Sequence, residues 1–173
     1  MDGRAGERDG LYAQASAAHA PAIARLTRAV EADPHQARDL EQEIHLALWR
    51  SFARFDGRCA VSTWVYRIAH NVAAGHVARG ARGVRLVGLD AAESLLANDD
   101  PEARAGEAQL LDHIHALIRR LEPSDAQIIL LYLEGVDTAG IAEVTGLQPG
   151  TVSVKIHRIK ALLARRFHLE ERS

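Results

Sequence analysis

Apolar residues in this chain recur at intervals of three, four and seven: Leu40, Ile44, Ala47, Leu48 and Phe55 in one stretch, Val152, Ile156, Ile159 and Leu163 in another. That period gathers them on one stripe of an α-helix, which must be buried against a neighbour. Alanine supplies 31 residues and aromatics only 5%, a composition that favours closely packed helices over a β-sandwich. With 47% apolar and 25% charged residues, 173 residues suffice for one ordinary domain or two small ones in a soluble globular protein. The longest apolar run, Ile128 to Leu133, is six residues, far below the ~20 that cross a bilayer. Met1–Gly10 is charged and unlike a signal sequence, so neither membrane insertion nor secretion is expected. A lone cysteine, Cys59, makes no internal disulfide and no zinc cage, which fits a reducing cytoplasm.

Read for organisation, residues 1–18 are polar and rich in Gly and Ala without a clear amphipathic pattern, which predicts a disordered, frayed leader. A helix is expected from Pro21 to Glu31, broken at Asp33-Pro34. A stronger one follows, with Asp39, Glu41, Gln42 and Glu43 crowding its first turns, where acids suit the helix dipole, and Asp56-Gly57 ending it. Ser62 or Thr63 can cap a third helix through Val77, with Trp64, Val65, Ile68, Ala69 and Val72 as its buried stripe. Residues 19–80 then form a first domain, and residues 81–106 a flexible linker, marked by Gly83, Gly88 and Asn98-Asp99-Asp100-Pro101. Val84, Leu86, Val87 and Leu89 are too many for a solubilising spacer, and imply either docking against another surface or a small strand or local collapse.

Residues 107–173 read as helical throughout: Leu110–Leu121, a break at Pro123-Ser124-Asp125, Ala126–Glu134, and a stop at Gly135. Asp137 can cap a short helix through Val144, Gly146 supplies a left-handed turn residue, and Pro149 opens a longer helix where proline is tolerated. Short helix, glycine-centred turn and second helix make a helix-turn-helix pattern. The Val152–Ile156–Ile159–Leu163 stripe leaves Ser153, His157 and Lys160 facing outward, flanked by Lys155 and Arg158, as on a helix that reads the major groove. Net charge is −2, yet it is segregated. Leu121–Leu147 holds five acids and no Lys or Arg, while Pro149–His168 holds five cations, including both lysines of the chain, and no acid. Such a helix is either a solvated basic face or one that meets phosphates.

Taken together, Asp39-Leu40-Glu41-Gln42-Glu43, Leu48-Trp49, Arg54-Phe55-Asp56-Gly57 and Ser62-Thr63-Trp64-Val65-Tyr66-Arg67-Ile68-Ala69-His70-Asn71 resemble region 2 of the extracytoplasmic-function (ECF) sigma factors of bacterial RNA polymerase. Ile141-Ala142-Glu143, Gly146-Leu147, Gly150-Thr151-Val152 and His157-Arg158 resemble region 4 of the same family. The resemblance implies an all-α protein of two small helical domains that binds core polymerase, at the β′ clamp helices and the β flap, and directs it to promoter DNA. It implies core-polymerase contacts from Asp39, Gln42 and Glu43, and minus-ten contacts from Trp64, Tyr66, Arg67 and Asn71, with a flipped base held in a pocket. For the minus-thirty-five element it implies Thr151, Ser153, Lys155, His157, Arg158 and Lys160. It further implies a cytoplasmic protein, nucleoid-associated within the holoenzyme, with an anti-sigma factor as a possible partner. From residue type alone, Trp64 suits core packing as well as base stacking, and Asn71 suits a surface amide. Three places depart from the family pattern: Gly75 and Ala78 replace polar or basic residues, Ser153 and Val154 replace a basic residue and a serine, and Gly140 replaces the Glu of a capping box.

Enzymatic readings have no support in the motifs. There is no P-loop, no His-Glu-x-x-His and no Gly-x-Ser-x-Gly, and His113 and His115 fall on different helix faces, so no catalytic residue, metal or cofactor is expected. Cys59 is either inert or a redox sensor. Two rival readings remain: a conventional helix-turn-helix activator or repressor with a helical dimerisation domain, and a sigma-like interaction module that has lost its DNA contacts. The Thr63–Asn71 segment separates them, because neither rival needs it.

Overall fold

A computed structural model of the chain describes residues 3–80, 86–89, 91–92 and 107–167. The chain divides into two compact units, Met1–Arg82 and Gly83–Ser173. The first contains α1 (Gly3–Val30), α2 (Pro34–Ser51), a 3-10 turn at Phe52–Arg54 and α3 (Val61–Gly80). The second contains α4 (Glu107–Ile118), α5 (Pro123–Leu133), α6 (Thr138–Thr145) and α7 (Pro149–Phe167).

Residues 3–18 are helical, against the expectation of a disordered leader, and α1 runs through Pro21 without interruption. Pro21 lacks the N–H for one helical bond, a loss that packing on both sides of it offsets. Ala15, Ala22 and Ala29 recur every seven residues and are buried with Ile23 and Leu26, so the alanines let α2 and α3 come close. Nearer the N-terminus, the Arg8 guanidinium stacks 3.8 Å over the Trp49 ring of α2. The Trp49 indole N–H donates to Asp9 Oδ1 at 2.9 Å, and the Tyr12 hydroxyl meets His45 Nδ1 at 3.2 Å. These contacts give the Gly-rich segment the ordering free energy that its own sequence lacks.

Asp33 caps α2, its carboxylate accepting from the N–H groups of His35 (2.7 Å) and Gln36 (3.3 Å), with Pro34 in the first turn. The helix thus begins five residues before Asp39, and the acids lie beyond the first turn, where the dipole has faded. Leu40, Ile44 and Leu48 are at most 1% exposed and form the core with Val65 and Ala69 of α3. The 3-10 turn and Gly57, at φ +73°, then reverse the chain. Helix α3 opens at Val61, so Ser62 and Thr63 sit inside its first turn instead of capping it. Its buried residues are Thr63, Val65, Ala69, His70 and Ala73, a stripe rotated from the one expected; Trp64, Ile68 and Val72 are only half-buried.

The α1 C-terminus is tied to α3 by His76 Nε2 and Glu31 Oε2, 2.8 Å apart, both largely buried. Burial pushes the Glu31 carboxyl up, but the Asp33 N–H and His76 outweigh it and hold the group below its ordinary 4.5. A depressed acid stabilises the fold above its unfolded value, and that contribution disappears as pH falls through the folded value. Glu31→Gln is therefore expected to flatten the acid limb of the unfolding profile, with urea midpoints of variant and parent converging at low pH; midpoints that differ by a constant amount at every pH would contradict this.

In the second unit α5 is the central element, with Ile128, Ile129, Leu130 and Leu131 of the six-residue apolar run all buried, while Tyr132 is half-buried and Leu133 is 50% exposed. Helix α4 ends at Ile118, three residues short of the expected Leu121, because Leu121 is drawn into a parallel bridge with Val87. Val87 N–H donates to the Arg120 carbonyl (2.9 Å) and Glu122 N–H to the Val87 carbonyl (2.8 Å). Val87, Leu89 and Ala92, all expected in the linker, are buried in this unit. Val84 lies outside the described residues.

Candidate polymerase and nucleic-acid interfaces

Asp39, Gln42 and Glu43 are exposed on one face of α2, and Leu46, seven residues beyond Asp39 and 45% exposed, completes it. From α3, Arg79 Nη2 reaches both Glu43 oxygens, at 3.2 and 3.4 Å. The face is acidic with one apolar side chain, suited to a basic, partly apolar helical partner. Leu46 and Arg79 are not singled out by the sequence reading; the signal for Leu46 is an apolar residue in phase with a polar row.

On α3, Trp64, Arg67 and Asn71 stand at spacings of three and four and share a face, with Asn71 exposed. The Trp64 ring meets Phe55 edge-on at 5.4 Å, and its indole N–H donates to Ser51 Oγ at 2.9 Å. The loop therefore holds the indole in a set orientation beside Arg67 and Asn71. Tyr66 is not brought to this face. Its ring turns to α1, 5.6 Å from His19, and lies 6.5 Å from His70. Gly75 continues the face, and a Cβ there would stand 3.4 Å from Arg79 Nη1, an ordinary contact with the end of a flexible side chain.

The second unit carries the helix-turn-helix. Asp137 Oδ1 accepts from Gly140 N–H at 2.7 Å, capping α6, and Gly146 at φ +74° ends it. Val152, Ile159, Leu162 and Leu163 seat α7 in the core, with Ile156 half-buried. Thr151, Ser153, Val154, His157 and Lys160 are exposed, and Arg158 half-buried on the flank. Ser153, His157 and Lys160 form one outward row, as the stripe predicts. Lys155 does not join them. It falls in register with Val152, Ile159 and Leu162, at spacings of three, four and three, and its ammonium pairs with Asp125 of α5. That spacing is readable in the sequence; the acid it meets, 30 residues earlier, is not.

Among the described residues no group of three His, Cys, Asp or Glu could hold a metal ion, and no helix is long and apolar enough to cross a membrane. Cys59 is half-buried in the loop before α3.

Comparison with known proteins places both units in one family. Residues 16–83 match the Sigma-70 region 2 model and residues 111–163 the Sigma-70, region 4 model. The chain is 33% identical over 138 residues to the RNA polymerase sigma-H factor of Pseudomonas aeruginosa, covering 74% of this chain and 71% of that protein. It is 31% identical over 137 residues to the ECF RNA polymerase sigma-E factor of Haemophilus influenzae, covering 72% and 71%. CnrH, solved in complex with the cytosolic domain of CnrY, superposes with a TM-score of 0.63 at 19% identity, covering 92% of this chain and 89% of that one, and shares the fold.

Two helical units, one with an exposed acidic face and one with a helix-turn-helix, are the parts of a promoter-recognition subunit. The chain belongs to the ECF RNA polymerase sigma factors. It is a non-enzymatic subunit that acts with core RNA polymerase on promoter DNA in transcription initiation. The conventional helix-turn-helix regulator is not favoured, since the region 2 match spans the segment such a regulator would not need.

Proposed function

We propose that the α2 face of Asp39, Gln42 and Glu43 docks on the β′ clamp helices, with region 4 meeting the β flap. Trp64, Arg67 and Asn71 contact the minus-ten element, and Tyr66, packed on His19, braces α3 beneath them. Helix α7 reads the minus-thirty-five duplex through Thr151, Ser153, His157, Arg158 and Lys160. The observation that carries this reading is the Ser153–His157–Lys160 row, exposed on the side of α7 opposite the core. The protein works in the cytoplasm, at the nucleoid when in holoenzyme. An anti-sigma factor restrains it, a reading supported by the fold shared with CnrH, which was solved with the cytosolic domain of CnrY. Multi-round transcription from a genomic template with purified core polymerase tests the whole: discrete promoter-specific transcripts are expected only when this protein is added. Their absence, together with tight duplex binding by a dimer of the free protein, would overturn it.

Within α7 the roles divide. Arg158, on the flank and long enough to reach the backbone, acts on phosphate, so Arg158→Ala weakens good and poor minus-thirty-five sequences alike and makes the salt dependence shallower. His157 makes a single hydrogen bond to a base edge, so His157→Ala changes the preferred base at one position by about 1 kcal/mol. Selection from a randomised minus-thirty-five library reads both. An unchanged preference for His157→Ala with an altered one for Arg158→Ala reverses the assignment.

A further inference from the structure

Asp125 is the only carboxylate among the described residues that is fully buried, at 2% exposure, and both its oxygens are engaged. Oδ1 receives the Lys155 ammonium from α7, and Oδ2 accepts the Leu89 N–H from the interdomain segment at 3.1 Å. One side chain of α5 thereby joins the recognition helix to a stretch of chain whose Val87, Leu89 and Ala92 are buried in the same unit. The Lys155 stem leaves α7 on the side of Val152, Ile159 and Leu162, away from the Ser153–His157–Lys160 row.

We infer that Lys155 is a positioning residue for promoter reading and not a phosphate contact. By anchoring to Asp125 it sets the rotation of α7, and hence which side chains meet the bases, and it makes that rotation depend on the seating of Val87, Leu89 and Ala92. Chemistry supports this division. A buried carboxylate left without its cation is costly, more than one surface lysine–phosphate contact would return, so the pair holds in the bound state. The inference rests on α7 being the DNA-facing helix.

The test uses holoenzyme reconstituted with core polymerase on promoter DNA, with Lys155→Met, Asp125→Asn, the double variant and Lys160→Gln. The Asp125→Asn change removes the charge but keeps an oxygen for the Leu89 N–H. Lys155→Met is expected to lower stability, weaken binding and broaden the minus-thirty-five preference, while the slope of log affinity against log salt stays that of the parent. The double variant, with neither charge, recovers stability because no buried charge is left unpaired, but it keeps the broadened preference at the parental slope, since the anchor is gone. A double variant with the parental preference would overturn the inference. Lys160→Gln, by contrast, flattens the slope by about 0.9, the loss of one phosphate contact. A double variant that melts with the parent but binds with a flattened slope makes Lys155 a phosphate contact and overturns the inference. So does a double variant no more stable than Lys155→Met alone, which would mean the two residues are uncoupled. If Lys160→Gln and His157→Ala leave slope and preference untouched, it is the DNA-facing reading of α7 that fails.

Discussion

Asp39→Arg combined with Glu43→Arg is expected to reduce binding to core polymerase at least tenfold, about 1.4 kcal/mol or more. Both carboxylates are exposed and four residues apart on one helix face, so a basic partner would meet two cations where it now meets two anions. The fold should tolerate the change. Glu43 pairs with Arg79 through side chains 52% and 63% exposed, and a pair so open to water stabilises by about 0–1 kcal/mol. Titration of labelled core polymerase with parent and variant measures the effect, and thermal melting of the free proteins checks the fold. Undiminished affinity in a variant that melts normally would move the docking surface off α2.

Gly140→Glu would restore the residue that a capping box usually carries, and it is nevertheless expected to destabilise the second unit by about 1–3 kcal/mol. A Cβ at this position would lie 2.8 Å from Val136 Cγ1 and 3.1 Å from Asp137 Oδ1. Val136 is short and branched, and cannot swing aside as a long side chain would. Moving Asp137 costs the 2.7 Å cap to the Gly140 N–H, worth about 1 kcal/mol, which cancels most of the roughly 1 kcal/mol gained by removing a helical glycine. Gly140→Ala, which adds only the offending carbon, should show most of the same loss in urea unfolding. A variant as stable as the parent would mean that Val136 relaxes freely and that the glycine is not needed for close approach. The same measurement bears on DNA reading, since α6 and its turn seat α7 in the helix-turn-helix.

The features legible in the sequence are those set by near neighbours. Asp137 as cap, Gly146 at positive φ and Pro149 opening α7 stand where they are expected, because a cap bond closes within three residues and a left-handed turn depends on one. The outward row Ser153, His157 and Lys160 follows from a stripe whose members lie within a few turns of one helix. The acidic row on α2 is legible for the same reason. The start of that helix is not, because Pro34 reads as a break in the sequence and acts as a first-turn residue in the fold.

What the sequence determined by itself, then, is the helical class, the order of the two sigma regions and the outward faces of α2 and α7, since period, caps and motifs are all local. Only the tertiary structure decided the rest. Residues 3–18 are helical because Trp49 and His45, dozens of positions later, receive Asp9 and Tyr12. The α3 stripe is rotated because Ser51 and Phe55 hold Trp64, leaving Thr63 and His70 to the interior. Lys155 turns inward because Asp125 waits in the core, and Leu89 docks on the same carboxylate. In each case the stabilising partner lies outside the helix it orders, and a pattern of period 3.6 carries no information about which group of another element will fill the space beside a given side chain.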